Sequence, residues 1–92
     1  MTWVEALTAH DPDLRARSSS ERTRRAYAVD LGQFVAWAGA RELAPGDVRH
    51  RDVRRYAAGL SQEGAAPATV ARKLAAIRGL FDFLVRSERL GQ

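Results

Sequence analysis

An all-α fold, a small bundle of four helices in one domain covering residues 1–92, is predicted by two observations. Apolar residues recur at helical spacing in three rows, Tyr27-Leu31-Phe34-Ala38, Val53-Tyr56-Ala57-Leu60 and Val70-Leu74-Ile77-Phe81-Leu84. Between the rows stand chain breakers, Ala44-Pro45-Gly46 and Gly64-Ala65-Ala66-Pro67, and no segment alternates apolar and polar residues for long enough to make a strand.

The first helix is expected to be short, over about residues 2–9. It carries Trp3, Val4, Ala6 and Leu7 and should end near His10-Asp11-Pro12, because a residue before proline is pushed out of the helical region. The second is expected over about 20–39, with Ser20 as N-cap, its hydroxyl meeting a free amide of the first turn, and Gly39 as the stop. A third follows over about 50–62. Pro67 then suits the first position of a fourth helix, where its missing amide costs nothing, and that helix should run to about residue 86. Leu80 and Phe83 fall off its main apolar stripe, so the fourth helix should be covered on more than one flank, as the central member of a bundle would be.

Composition restricts what such a bundle does. A chain of 92 residues buries roughly 60 to 65% of its unfolded surface, enough for one modest core. Without cysteine it has neither disulfides nor thiolate metal sites. No apolar run reaches the roughly 20 residues that cross a bilayer and no secretory leader is evident, so a cytoplasmic location and no membrane partner are expected. The net charge of +4 favours polyanionic partners. Lys73 is the only lysine among 15 basic residues, a bias that a GC-rich genome also produces, so position is more informative than number.

Basic residues recur near the start of the second and fourth helices, where unpaired amides and the positive dipole end already attract phosphate. On the second, Arg22 and Arg25 project away from the apolar face and Arg24 falls on its flank. Thr23 suits either a phosphate contact or a local hydroxyl bond. On the fourth, Arg72 lies roughly opposite Leu74 and Ile77, among Ala68, Ala75, Ala76 and Gly79, small residues that admit either DNA or another helix. Lys73 lies beside the core stripe within reach of a backbone phosphate. Arg78 serves DNA or pairs with an acid inside the bundle. Arg49, Arg51, Arg54 and Arg55, tempered by Asp47 and Asp52, read mainly as a solvated face.

Ser20, Thr23, Ala26-Tyr27, Asp30-Leu31 and Phe34, then Val48 and Val53, then Thr69, Arg72, Leu74, Ala76, Ile77-Arg78 and Phe81 together carry a resemblance. In order and spacing, residues 3–91 resemble the N-terminal core-binding domain of the tyrosine recombinases, the phage integrase and Xer-like family. The resemblance implies an orthogonal, SAM-like bundle forming half of a clamp around double-stranded DNA. Two crossing helices would lie against the major groove, and neighbouring recombinase protomers would touch on a paired site. Carried over by position, the DNA-binding residues are Arg22, Thr23, Arg25, Thr69, Arg72, Lys73 and Arg78. The isolated domain is expected to be monomeric. Ala66 departs from the family where a serine cap is usual, and Arg49 where a threonine is common.

Catalysis is not expected in this chain. Strand transfer needs a nucleophilic tyrosine with arginines and a histidine around one phosphate, groups that the resemblance places in a separate domain. Tyr27 and Tyr56 fall on predicted core faces, and His10 and His50 are too far apart in the pattern to form a metal site. No cofactor is implied. The competing reading is a protein-interaction bundle without nucleic acid, which an apolar surface patch around Trp3, Trp37, Leu80 and Phe83 would favour.

Overall fold

The computed structural model describes residues 1–17 and 20–91. Four helices form in chain order: α1 (Trp3–Arg17), α2 (Glu21–Ala40), α3 (His50–Gln62) and α4 (Pro67–Arg86). A 3-10 turn at Pro45–Asp47 links α2 to α3, and there is no strand among the described residues. The all-α prediction therefore holds, and α4 packs on each of the other three helices.

Phe34, 0% exposed, sits at the centre of the core with Leu31, Tyr56, Ile77, Leu80 and Leu84. It meets Trp3, Tyr56 and Phe81 edge-on, with ring centroids 5.9, 5.1 and 6.5 Å away, and stacks on Trp37 at 5.8 Å. Such pairs add about 0.5–1.5 kcal/mol each beyond the area that they bury. The Trp3 indole also donates to the Leu43 carbonyl at 2.8 Å, tying the start of α1 to the chain leaving α2.

The expected end of α1 is corrected, because the helix runs through Pro12 and ends at Arg17. An interior proline costs about 3 kcal/mol, having no amide for the carbonyl one turn back. Continuing the helix, however, puts His10 and Leu14 on the buried face that begins at Ala6. Burying a leucine side chain is worth about 1.5–3 kcal/mol, and His10 also packs on Phe83 with centroids 5.3 Å apart. Pairs between Asp11 and Arg15 at 2.8 Å and between Asp13 and Arg17 at 3.1 Å add local support. Pro12 itself faces solvent.

Three helices end in the same hydrogen-bonded device. After α2, α3 and α4 the backbone turns left-handed at Glu42 (φ 57°), Gly64 (φ 91°) and Glu88 (φ 60°). In each case the next amide reaches back five positions, Leu43 to Ala38, Ala65 to Leu60 and Arg89 to Leu84, while the left-handed residue bonds Gly39, Ser61 or Val85. The stop predicted at Gly39 is thus made three residues later, by a glutamate. The two ordered hydrogen bonds offset a side-chain clash of about 1–2 kcal/mol.

Candidate nucleic-acid interface

The start of α2 is held by short-range bonds. Ser20 takes the extended conformation of an N-cap, its Oγ accepting from the Thr23 amide at 3.1 Å and donating to Thr23 Oγ1 at 2.9 Å. The local reading of Thr23 is therefore realised. Arg24 turns inward, its side chain 16% exposed, and bridges Glu21 and Asp11, which fastens α2 to α1. Hydrogen bonding to the Arg24 guanidinium holds the Glu21 carboxyl below its ordinary range. Arg25 instead points outward, its side chain 75% exposed with Glu21 no nearer than 3.6 Å, and Arg22 is exposed without an ion pair among the described residues.

The start of α4 is built differently. Ala66 supplies no side-chain acceptor, so the first-turn amides after Pro67 stay uncapped, and Thr69 is half-buried. One turn further on, α4 crosses α2 through charge. Asp30 of α2 is 0% exposed, and the Arg72 guanidinium grips it from both sides of the fork, Nε to Oδ2 and Nη2 to Oδ1, each at 2.9 Å. The Lys73 ammonium donates to the same Oδ1 at 2.9 Å and also to Gln33 Oε1. Burial alone would push the Asp30 carboxyl up, but the Arg72 and Lys73 hydrogen bonds outweigh it and hold the group below its ordinary value. The same contact raises the Arg72 guanidinium.

Two expectations change with this geometry. Lys73, expected within reach of a phosphate, is only 8% exposed and its charge is turned inward, because the nearest anion lies beneath it rather than outside. The inward acid-pairing considered for Arg78 is made by Arg72, whereas Arg78 is exposed and has no acid partner among the described residues. Arg72 keeps an exposed side, its side chain 46% accessible. The outward cations near the start of α2, at the crossing and midway along α4 are therefore Arg22, Arg25, Arg72 and Arg78.

Asp30 and Gln33 were not singled out by function in the sequence. Their signal was an acid one position from Leu31 in a core row, which burial obliges to find a cation. Elsewhere, Arg51, Arg54 and Arg55 are exposed on α3 without acid partners among the described residues, in keeping with a solvated face. Arg49 instead donates to the Gly46 carbonyl at 3.0 Å and caps no first-turn amide with its side chain, while Asp52 reaches back to accept from the Arg49 amide at 2.8 Å.

A cleft of about 380 Å³ between α1, α2 and α4 is lined by both signs of charge, and Asp13 there faces Arg17 at 3.1 Å and Arg86 at 3.7 Å. Tyr56 is 5% exposed, and burial pushes its phenol up, the wrong direction for a nucleophile. The apolar patch that would favour an interaction bundle does not form. Leu80 is fully buried, and Trp3, Trp37 and Phe83 pack against the core. No group of metal-ligating side chains occurs among the described residues, and no described helix is long and apolar enough to cross a membrane.

Comparison with known proteins agrees with the all-helical fold. Residues 8–88 match the phage integrase, N-terminal SAM-like domain. The chain is 40% identical to the tyrosine recombinase XerC of Roseiflexus castenholzii over 82 residues, 88% of this chain and 26% of that protein. It is 34% identical to the tyrosine recombinase XerD of Chlorobaculum tepidum over 74 residues, 80% of this chain and 24% of that protein. With the XerC of Chlorobaculum parvum, identity is 33% over 95 residues, 96% of this chain and 28% of that protein. The chain thus spans about a quarter of the length of the curated relatives that it matches. No solved structure gives a significant match.

Proposed function

The chain belongs to the phage integrase N-terminal SAM-like domain family, and from that premise we propose that it grips one side of duplex DNA within a tyrosine site-specific recombinase. Catalysis falls to another part of that recombinase, and neighbouring protomers meet on a paired site. The observation that carries the reading is the outward set of arginines at the start of α2, at the α2–α4 crossing and, with Arg78, midway along α4. Arg22, Arg25, Arg72 and Arg78 are all exposed, on elements whose first turns already favour anions.

Half of a clamp neutralises few phosphates, so binding by the domain alone is weak and strongly salt-dependent. With about 4 phosphates contacted, log affinity falls against log salt with a slope near −3.6. Fluorescence anisotropy of a labelled duplex, titrated with the 92-residue chain between low and physiological salt, measures this slope. Affinity independent of salt would remove the reading, and so would a complete lack of binding at low salt.

A further inference from the structure

Arg72 is anchored on one edge and open on the other. A guanidinium carries five N–H donors in one plane. Two of them, on Nε and Nη2, are spent on the oxygens of Asp30 at 2.9 Å. Of the remaining three, one on Nη1 and one on Nη2 form a parallel pair along the edge not used by Asp30, on a side chain that is 46% exposed. Asp30 is not free to turn. It is 0% exposed, and its Oδ1 is also held by Lys73, which is itself bound to Gln33. On α4, Ala68, Ala71 and Ala75 beside Arg72 are exposed and offer only methyl groups.

We infer that Asp30 is a positioning residue for DNA recognition, fixing the Arg72 guanidinium so that its outer edge takes a coplanar pair of acceptor atoms on the duplex. The inference rests on the DNA-binding reading above. Two groups on DNA offer such a pair, the O6 and N7 of a guanine in the major groove and two oxygens of one phosphate. A long arginine without a buried partner reaches either group only by freezing its own rotamers on contact. With Asp30 in place that ordering is already done in the free protein.

The sign of one substitution separates this role from plain electrostatics. Asp30→Asn keeps the side-chain shape and raises the net charge by one, so charge attraction alone predicts tighter binding. Positioning predicts the reverse, a loss of about tenfold, in the range of one good bidentate contact. The experiment measures anisotropy at fixed salt for the wild-type chain, Asp30→Asn, Arg72→Ala, the double variant and Arg72→Lys, on the tightest duplex selected from a randomised pool. If Asp30 acts through Arg72, the double variant binds no more weakly than Arg72→Ala, and Arg72→Lys, which keeps the charge but not the fork, falls to within about twofold of Arg72→Ala.

Asp30→Asn binding as tightly as wild type, or its loss multiplying with that of Arg72→Ala, overturns the inference. Should Asp30→Asn fail to fold by circular dichroism, Arg72→Lys decides, and wild-type affinity in that variant is equally fatal. A wild-type chain that selects and binds no duplex instead overturns the DNA reading underneath. The acceptor is identified by a panel of base-substituted duplexes. With guanine, Arg72→Ala flattens discrimination at one position; with phosphate, it weakens all duplexes alike and lowers the salt slope by about one unit.

Discussion

The starts of α2 and α4 look alike in sequence, each a helix N-terminus followed within two turns by basic residues, yet the structure uses them in opposite ways. At α2 the helix end is satisfied by Ser20, and Arg22 and Arg25 stay exposed, Arg25 with only a surface ion pair to Glu21 at 3.6 Å. At α4 the end is uncapped, and the cations one turn in are locked to a buried carboxylate. The first arrangement supplies charge without geometry, and the second supplies geometry while spending part of its charge. A count of basic residues cannot separate the two; the position of one acid does.

The contrast is tested most severely at Asp30. Asp30→Ala leaves the Lys73 ammonium buried without its anion and should lower unfolding stability by about 3–5 kcal/mol in urea titration, whereas Lys73→Met should cost about 1 kcal/mol or less. Because the carboxyl is held below its ordinary value in the folded state, this stabilisation is present above the unfolded value of about 3.9 and lost as pH falls through the folded one. The stability gap between wild type and Asp30→Asn should therefore close in acid. Equal losses for Asp30→Ala and Lys73→Met would mean that the crossing is ordinary packing.

The α2 side predicts the converse. Arg22→Ala with Arg25→Ala should leave the melting temperature unchanged but lower the salt slope of DNA binding by about 1.8 units, two contacts at roughly 0.9 each. A melting shift without a slope change would place these arginines in the structure rather than at the interface. Smallest is the effect of exchanging the caps. Ser20→Ala should destabilise by about 1 kcal/mol, and Ala66→Ser should stabilise by up to about 1 kcal/mol, both read by thermal unfolding.

Three of the four helices were legible because their apolar periods and breakers agree with the way they pack. Leu31, Phe34, Ile77 and Leu84 fill the core in the rows where the spacing put them. Ser20 caps α2 as its residue type suggests. At Pro12 and at Arg72 and Lys73 a tertiary contact overrides a local preference, whereas at Gly39 one local preference yields to another. Pro12 signals a helix end, but the helix continues to Arg17, with Leu14 buried and two ion pairs, Asp11 with Arg15 and Asp13 with Arg17, set against the local penalty. Gly39 is the natural left-handed residue, but the closing hydrogen bonds fall where Glu42 stands. The inward turn of Arg72 and Lys73 depends on Asp30, 42 residues from Arg72, and helical spacing names the face of a residue without naming what lies across from it.

Pro12 divides α1 into two stretches that are helical for different reasons. Up to that point the hydrogen-bond ladder is unbroken; at Pro12 it loses a rung, and in the stretch beyond it Leu14 is the residue whose burial favours continuing the helix. The latter half of α1 is consequently a gauge of the rest of the molecule. Because α1 packs on α4, loosening α4 should unwind residues 13–17 before the rest of α1, an order that amide hydrogen exchange reads.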